Sequence, residues 1–250
     1  MSIVTSFDTS TEPILKPEHL SHPIDNFPEI VICTFTRYML NTVLLHFPCV
    51  SIGAMFDGRT IYKTTYNNTP IAFFRTSIGA PPTVAFLEEA IAKGAKKILI
   101  FGSCGTLDSA LTGSNIVVPT HAYRDEGTSY HYAPAEAGDF IEVKSSGKME
   151  AILKDIGVPV VTGKTWTTDA LYRETRKNME LRKADGCITV EMECASVMAM
   201  ADFRGVEAYQ FLYTSDNLDA AEWERHTLWS MEGDMLEKLA KTALEAATKL

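Results

Sequence analysis

The run Lys97-Ile98-Leu99-Ile100-Phe101, followed at once by Gly102-Ser103-Cys104-Gly105-Thr106, decides how the rest of the chain is read. An unbroken apolar run this short, bounded by small residues, is what a strand buried on both faces of a sheet carries. The residues after it predict a small-residue turn at the strand's end. Glycines at 102 and 105 let successive backbone amides point at one place, and Ser103 adds a hydroxyl, which together suit an oxyanion or a phosphate. A tight strand-to-loop turn needs the same glycines, so both readings stand. The GxGxxG spacing of a dinucleotide site is absent.

Outward from that strand, short apolar runs alternate with helical patterns, which is the signature of an α/β fold. Ile30-Val31-Ile32-Cys33 and Ile71-Ala72-Phe73-Phe74 are upstream strands, the second following a turn at Asn67-Asn68-Thr69-Pro70. A helix is expected over 82–93, with Gly94 as its stop. Downstream, Asn115-Ile116-Val117-Val118-Pro119, residues 158–162 and Phe211-Leu212-Tyr213-Thr214 read as strands. Helices are expected over 193–204, ended by Gly205, and over 231–250. Thr76-Ser77-Ile78-Gly79-Ala80-Pro81-Pro82 ends its strand in a second glycine turn, and two such turns at strand ends point to a crevice. No repeat, low-complexity tract or linker interrupts the pattern, so one domain spanning 1–250 is expected, with 1–12 a loosely ordered extension.

Composition limits the function classes. With 250 residues, 46% of them apolar, the chain has enough material for a sizeable core. The balance of 23 basic against 32 acidic residues, net −9, disfavours nucleic acid and anionic membrane surfaces as partners. Any phosphate must therefore be met by local donors. Five cysteines without paired metal spacing read as reduced thiols, with no metal site expected. No targeting segment or membrane span is seen, which makes a cytoplasmic location the expectation. The ten methionines fall mostly in helical patterns and read as core filling.

Two further stretches carry chemistry. In Thr189-Val190-Glu191-Met192-Glu193-Cys194-Ala195, positions 191 and 193 would point the same way on a strand end. Paired carboxylates accept hydrogen bonds only, and so suit the adjacent hydroxyls of a sugar. The other reading is a helix start favoured by the helix dipole. Near the C-terminus, Ser215-Asp216-Asn217 ends a strand. A carboxylate there serves as a general acid, or simply caps the next turn.

Taken in order, these motifs resemble the nucleoside phosphorylases of the hexameric type, the group that includes purine nucleoside phosphorylase, uridine phosphorylase and the methylthioadenosine and adenosylhomocysteine nucleosidases. The resemblance spans roughly residues 13–250. It is carried by Phe101-Gly102-Ser103-Cys104-Gly105, by Arg124-Asp125-Glu126-Gly127-Thr128-Ser129-Tyr130-His131-Tyr132-Ala133-Pro134, by Thr168-Asp169-Ala170-Leu171-Tyr172, by Val190-Glu191-Met192-Glu193 and by Ser215-Asp216. It implies a single α/β domain with a central mixed, partly barrel-like sheet flanked by helices. Met192 and Glu193 would hold the ribose, with Glu191 in support. Ser103 and Gly102 would bind phosphate, together with Arg37 and Arg59. Cys104, Gly105, Leu171, Tyr172 and Val190 would line the base. Asp216 would protonate N7 of a purine, with Arg225 as its partner. The implied partners are a small-molecule nucleoside and phosphate as co-substrate, with no metal or organic cofactor, in a homo-oligomer, either a hexamer built as a trimer of dimers or a dimer.

The chain departs from that family in two places. Ile100 stands where phosphorylases usually carry an arginine, and the glycine-aspartate-proline loop after the first strand is replaced by Cys33-Thr34-Phe35-Thr36-Arg37, in which only Arg37 matches. Arg75, or Arg59 reaching a neighbouring subunit, would have to compensate. No histidine matches the one the family lends across its subunit interface. Trp223, near the acid loop, reads as packing or as a lid. The expected activity is phosphorolysis of a ribonucleoside, purine favoured because of Asp216. Hydrolysis of the same bond, a uridine enzyme and a non-catalytic nucleoside-binding protein are the alternatives.

Overall fold

In a computed structural model of the chain, residues 2–10, 12–111, 115–226 and 233–250 are described. The strands are β1 (Ile30–Thr34), β2 (Val50–Ala54), β3 (Thr60–Tyr66), β4 (Thr69–Arg75), β5 (Lys97–Thr106), β6 (Ile116–Asp125), β7 (Phe140–Glu142), β8 (Val160–Thr168), β9 (Cys187–Glu191), β10 (Glu207–Asn217) and β11 (Glu224–Arg225). The helices are α1 (Arg37–His46), α2 (Ala80–Lys93), α3 (Ser146–Asp155), α4 (Arg176–Ala184), α5 (Cys194–Arg204) and α6 (Gly233–Ala247).

All eleven strands join one mixed sheet. The path β10-β6-β8-β9-β5 closes on itself because β10 also pairs with β5, in parallel over its length, and this forms the barrel-like part. From β5 the sheet continues through β1, β4, β3 and β2. The continuous apolar runs of β1, β4 and β5 follow from burial on both faces. Val31, Cys33, Ala72, Phe74, Ile98 and Ile100 pack with α2 and α5 on one side. Ile32, Ile71, Phe73, Leu99 and Phe101 pack with α1, α3 and α6 on the other. Alternate residues thus face opposite helical layers, which is the period-2 rule applied to a sheet covered on both sides.

The expected turn after residue 101 is not found. β5 runs on through Gly102 to Thr106, pairing with β10 and, at Gly105 and Thr106, with β9. The glycines are needed for close approach. A Cβ on Gly102 would lie 2.7 Å from the Phe35 ring, and one on Gly105 would lie 2.5 Å from Leu218. The same extension holds for β6 and β8, which run well past the expected spans because each finds a ladder partner in the other. The C-terminal helix is described from Gly233, and Met231, where it was expected to begin, lies outside the described residues. Near the N-terminus, Phe7 meets Phe203 edge-on with ring centroids 6.3 Å apart.

Candidate active site

A cavity of about 740 Å³ is lined by the C-terminal residues of β1, β5, β9 and β10, the place where open α/β sheets gather ligands. That volume suits a small-molecule ligand. Thr34, Phe35, Thr36, Gly102, Ser103 and Glu193 line it, as do Leu171, Tyr172, Glu174, Val190, Asp216 and Trp223. Cys104, Gly105, Glu191 and Met192 also belong to the wall. Of the residues expected to bind substrate or act on it, Arg37, Arg59, Arg75 and Arg225 lie outside it.

The Val190 to Glu193 segment places two carboxylates in different roles. β9 ends at Glu191, the chain turns into α5, and the shared direction expected for positions i and i+2 is lost. Glu191 Oε2 accepts from the backbone amides of Glu193 and Cys194, both at 2.7 Å. Its Oε1 accepts from Thr167 Oγ1 at 2.6 Å, and that hydroxyl accepts in turn from the Ala195 amide. Glu191 therefore caps α5, satisfying amides that a helix N-terminus leaves unpaired. Glu193 turns instead toward the start of α2, where its Oε1 accepts from the Gly79 amide at 2.6 Å. Both carboxyls are buried and hold their protons to higher pH than usual, Glu191 through burial and Glu193 through burial and then the charge of Glu191.

Asp216 sits just past a bulge in β10, with Ser215 Oγ donating to its Oδ1 at 2.9 Å and Trp223 Nε1 donating to its Oδ2 at 2.8 Å. The expected partner, Arg225, is the cross-strand neighbour of Asp216, yet its side chain is exposed and outside the cavity wall. The β10–β11 hairpin brings the indole to the carboxylate and leaves the guanidinium on the surface.

The arginines expected at the phosphate also stand elsewhere. Arg59 Nε pairs with Asp57 at 2.7 Å, its other nitrogens donate to the Arg75 carbonyl and to Ser77 Oγ, and its guanidinium lies over the Phe86 ring. Each of its three nitrogens thus donates once within its own chain. Arg37 is exposed in the first turn of α1. Arg75, at the end of β4, donates to the Phe35 and Thr76 carbonyls behind the Thr34–Thr36 wall, and burial with the nearby Arg59 and Arg37 charges lowers its pKa. Ile100 is fully buried in the core, so the site usual for an arginine has no opening to the cavity.

Sequence reasoning missed Glu174. It follows the single helical turn Leu171–Arg173 and precedes α4, so it reads as one charge in a polar stretch. In the fold it faces the cavity, and burial followed by the Asp216 charge pushes its carboxyl up to about 8. The thiol of Cys104 is raised well above its usual value by burial and stays neutral. Among the described residues no group of three or more His, Cys, Asp or Glu is placed to hold a metal ion, and no helix is long and apolar enough to cross a membrane.

The architecture is thus that of an α/β protein whose mixed sheet closes on itself over part of its path and carries a carboxylate-lined cavity of small-ligand size at its strand ends. The family model described as Phosphorylase superfamily matches residues 29–250, and the chain belongs to that superfamily, the nucleoside phosphorylases, which are pentosyltransferases. It is 26% identical over 190 residues to a guanosine phosphorylase of Halorubrum lacusprofundi, covering 76% of this chain and 77% of that one. It is 25% identical over 163 residues to the uridine phosphorylase of Escherichia coli, covering 60% and 64%. A DeoD-type purine nucleoside phosphorylase of Buchnera aphidicola is 24% identical over 242 residues, covering 92% and 100%. The fold matches the crystal structure of the purine nucleoside phosphorylase of Toxoplasma gondii in complex with immucillin-H with a TM-score of 0.76 at 18% identity, over 89% of this chain and 91% of that one.

Proposed function

We propose that this chain is a ribonucleoside phosphorylase that favours purines. Phosphate attacks C1′ of the ribose from the face opposite the base, the bond from C1′ to the base nitrogen breaks with its electron pair leaving on the base, and Asp216, which must enter the step in its protonated form, gives that proton to N7 and is left as the carboxylate. The observation that carries this reading is Asp216 itself, a carboxylate in the cavity wall fixed through both oxygens by Ser215 and Trp223. Glu193, oriented by the Gly79 amide, accepts from the ribose hydroxyls with Met192 beside it. Ser103 offers its hydroxyl to phosphate, and Cys104, Gly105, Leu171, Tyr172 and Val190 enclose the base. Catalysis of this kind rests on positioning and electrostatics, without a covalent intermediate on the protein.

Because Ile100 is sealed in the core, the positive charge for phosphate comes on this reading from Arg75, behind the Phe35 loop. The same burial of Ile100 favours a second reading, hydrolysis, in which water replaces phosphate. Base release from inosine, guanosine, adenosine, uridine and methylthioadenosine, each with and without phosphate, separates the two. Strict phosphate dependence on purines is expected; equal release without phosphate makes the enzyme a nucleosidase, and release from uridine alone removes the purine assignment.

The active form is proposed to be a homo-oligomer in a reducing cytoplasm. Tyr38 and Ile78, cavity-lining residues that are 71% and 66% exposed, support cover by a second copy, and five free cysteines support the compartment.

A further inference from the structure

We propose that Glu174 reads the substituent at C6 of a bound purine and favours 6-oxopurine nucleosides over 6-aminopurine ones. This rests on the purine reading above, in which Asp216 takes N7.

Glu174 and Asp216 both line the cavity wall, and the two carboxyls are close enough for the charge of one to act on the other. On the rim of a purine, N7 has two neighbours, the apolar C8–H and the group on C6. A second carboxyl beside the one at N7 therefore has a single polar atom to meet, the oxygen or nitrogen on C6. Asp216 already has a protein partner at each oxygen, Ser215 at one and Trp223 at the other. Glu174, in contrast, has no hydrogen-bonding partner for its carboxyl among the described residues. A polar group turned into a cavity without a partner is poised for one on the ligand, since burial without a hydrogen bond is costly. The backbone holds it there: Glu174 closes the Leu171–Arg173 turn, and two residues on Arg176 donates to the Leu218, Ala220 and Ala221 carbonyls, tying this segment to the loop that carries Trp223.

Burial first, and the charge of Asp216 whenever that group is ionised, raise the Glu174 carboxyl to about 8, so near neutrality it is a hydrogen-bond donor. A 6-oxo group accepts that bond, and to the extent that the bond to C1′ breaks ahead of proton transfer to N7, negative charge spreads onto this oxygen and the bond strengthens in the transition state. A 6-amino group donates, and meets only the acid's carbonyl oxygen, with no such gain.

The test compares kcat/KM for inosine, adenosine and purine riboside, which has only hydrogen at C6, in the wild type and in Glu174→Leu and Glu174→Gln. Ratios between substrates are taken within each variant, so a loss of folded protein cancels, and Glu174→Ala replaces the leucine variant if that one does not fold. Glu174→Leu is expected to lower the inosine to purine riboside ratio about tenfold, and Glu174→Gln, whose amide still donates, to keep it within about threefold of wild type. An unchanged ratio in Glu174→Leu, or an equal loss in Glu174→Gln, overturns the inference alone. A wild type that releases no base from any of the three nucleosides overturns the purine reading, and this inference with it.

Discussion

Trp223 Nε1 donates a 2.8 Å hydrogen bond to Asp216 Oδ2, so a half-exposed indole on the loop before β11 fixes the carboxylate proposed to protonate the base. Trp223→Phe keeps the ring and removes the donor. Loss of the hydrogen bond that orients this carboxyl predicts a fall of about tenfold in kcat/KM on purine nucleosides. Steady-state kinetics check it, and a variant as active as the parent removes Trp223 from the positioning of Asp216.

Glu193 accepts from the Gly79 amide through Oε1 and lines the cavity. If its ionised form grips the 2′ hydroxyl, inosine should exceed 2′-deoxyinosine in kcat/KM by roughly 10- to 100-fold at a pH above the raised pKa of this carboxyl, the worth of one charged hydrogen bond. Glu193→Gln should bring the two substrates much closer together. Equal efficiency in the wild type counts against the ribose role.

Arg75 is the guanidinium behind the Phe35 and Thr36 wall, where Ile100 contributes no charge. Arg75→Met is expected to raise KM for phosphate by about tenfold or more, from the loss of charge-assisted contacts, with a much smaller change in KM for the nucleoside. Parallel changes in both constants would assign Arg75 to the fold and not to phosphate.

Glu191 accepts from two backbone amides and a threonine hydroxyl inside the structure. Glu191→Ala leaves those donors buried without an acceptor, and should destabilise the protein by about 2 to 4 kcal/mol. Urea unfolding measures this directly. A loss of activity with no loss of stability would instead place Glu191 on the substrate.

The Glu174 carboxyl is raised from an ordinary 4.5 to about 8 in the fold. Between those values the folded chain binds more protons than the unfolded one, so stability falls as pH rises through the window. The penalty is absent below pH 4.5 and complete above about 8. Glu174→Gln does not titrate, so the unfolding midpoint of the wild type relative to this variant should drop between pH 5 and pH 8. Midpoints that run parallel across that range would show that Glu174 is not buried as described.

Much of the architecture was legible along the chain, because strands covered on both faces must be apolar at every position. Ile30-Val31-Ile32-Cys33, Ile71-Ala72-Phe73-Phe74 and residues 97–101 all lie inside the strands they predicted. Of the site, the Ser103, Val190 to Glu193 and Asp216 motifs were visible as rare residue patterns at strand ends, and all of them line one cavity. Glu174 was not visible, since a lone carboxylate among arginines and lysines has the composition of a solvated surface.

Sequence alone determined what short-range chemistry controls: which runs are buried, where carboxylates and small residues meet strand ends, and that residue 100 carries no charge. Only the tertiary structure decided what depends on contacts between distant segments. The glycines at 102 and 105 became sites of close packing because Phe35 and Leu218 arrive there. Glu191 became a helix cap because Thr167 and the first amides of α5 converge on it. Trp223 took the place expected of Arg225 because the β10–β11 pairing sets the indole against Asp216. Each outcome depends on which donor, acceptor or side chain lies within a few ångströms across the fold, and that proximity is a property of the closed sheet and not of any local pattern.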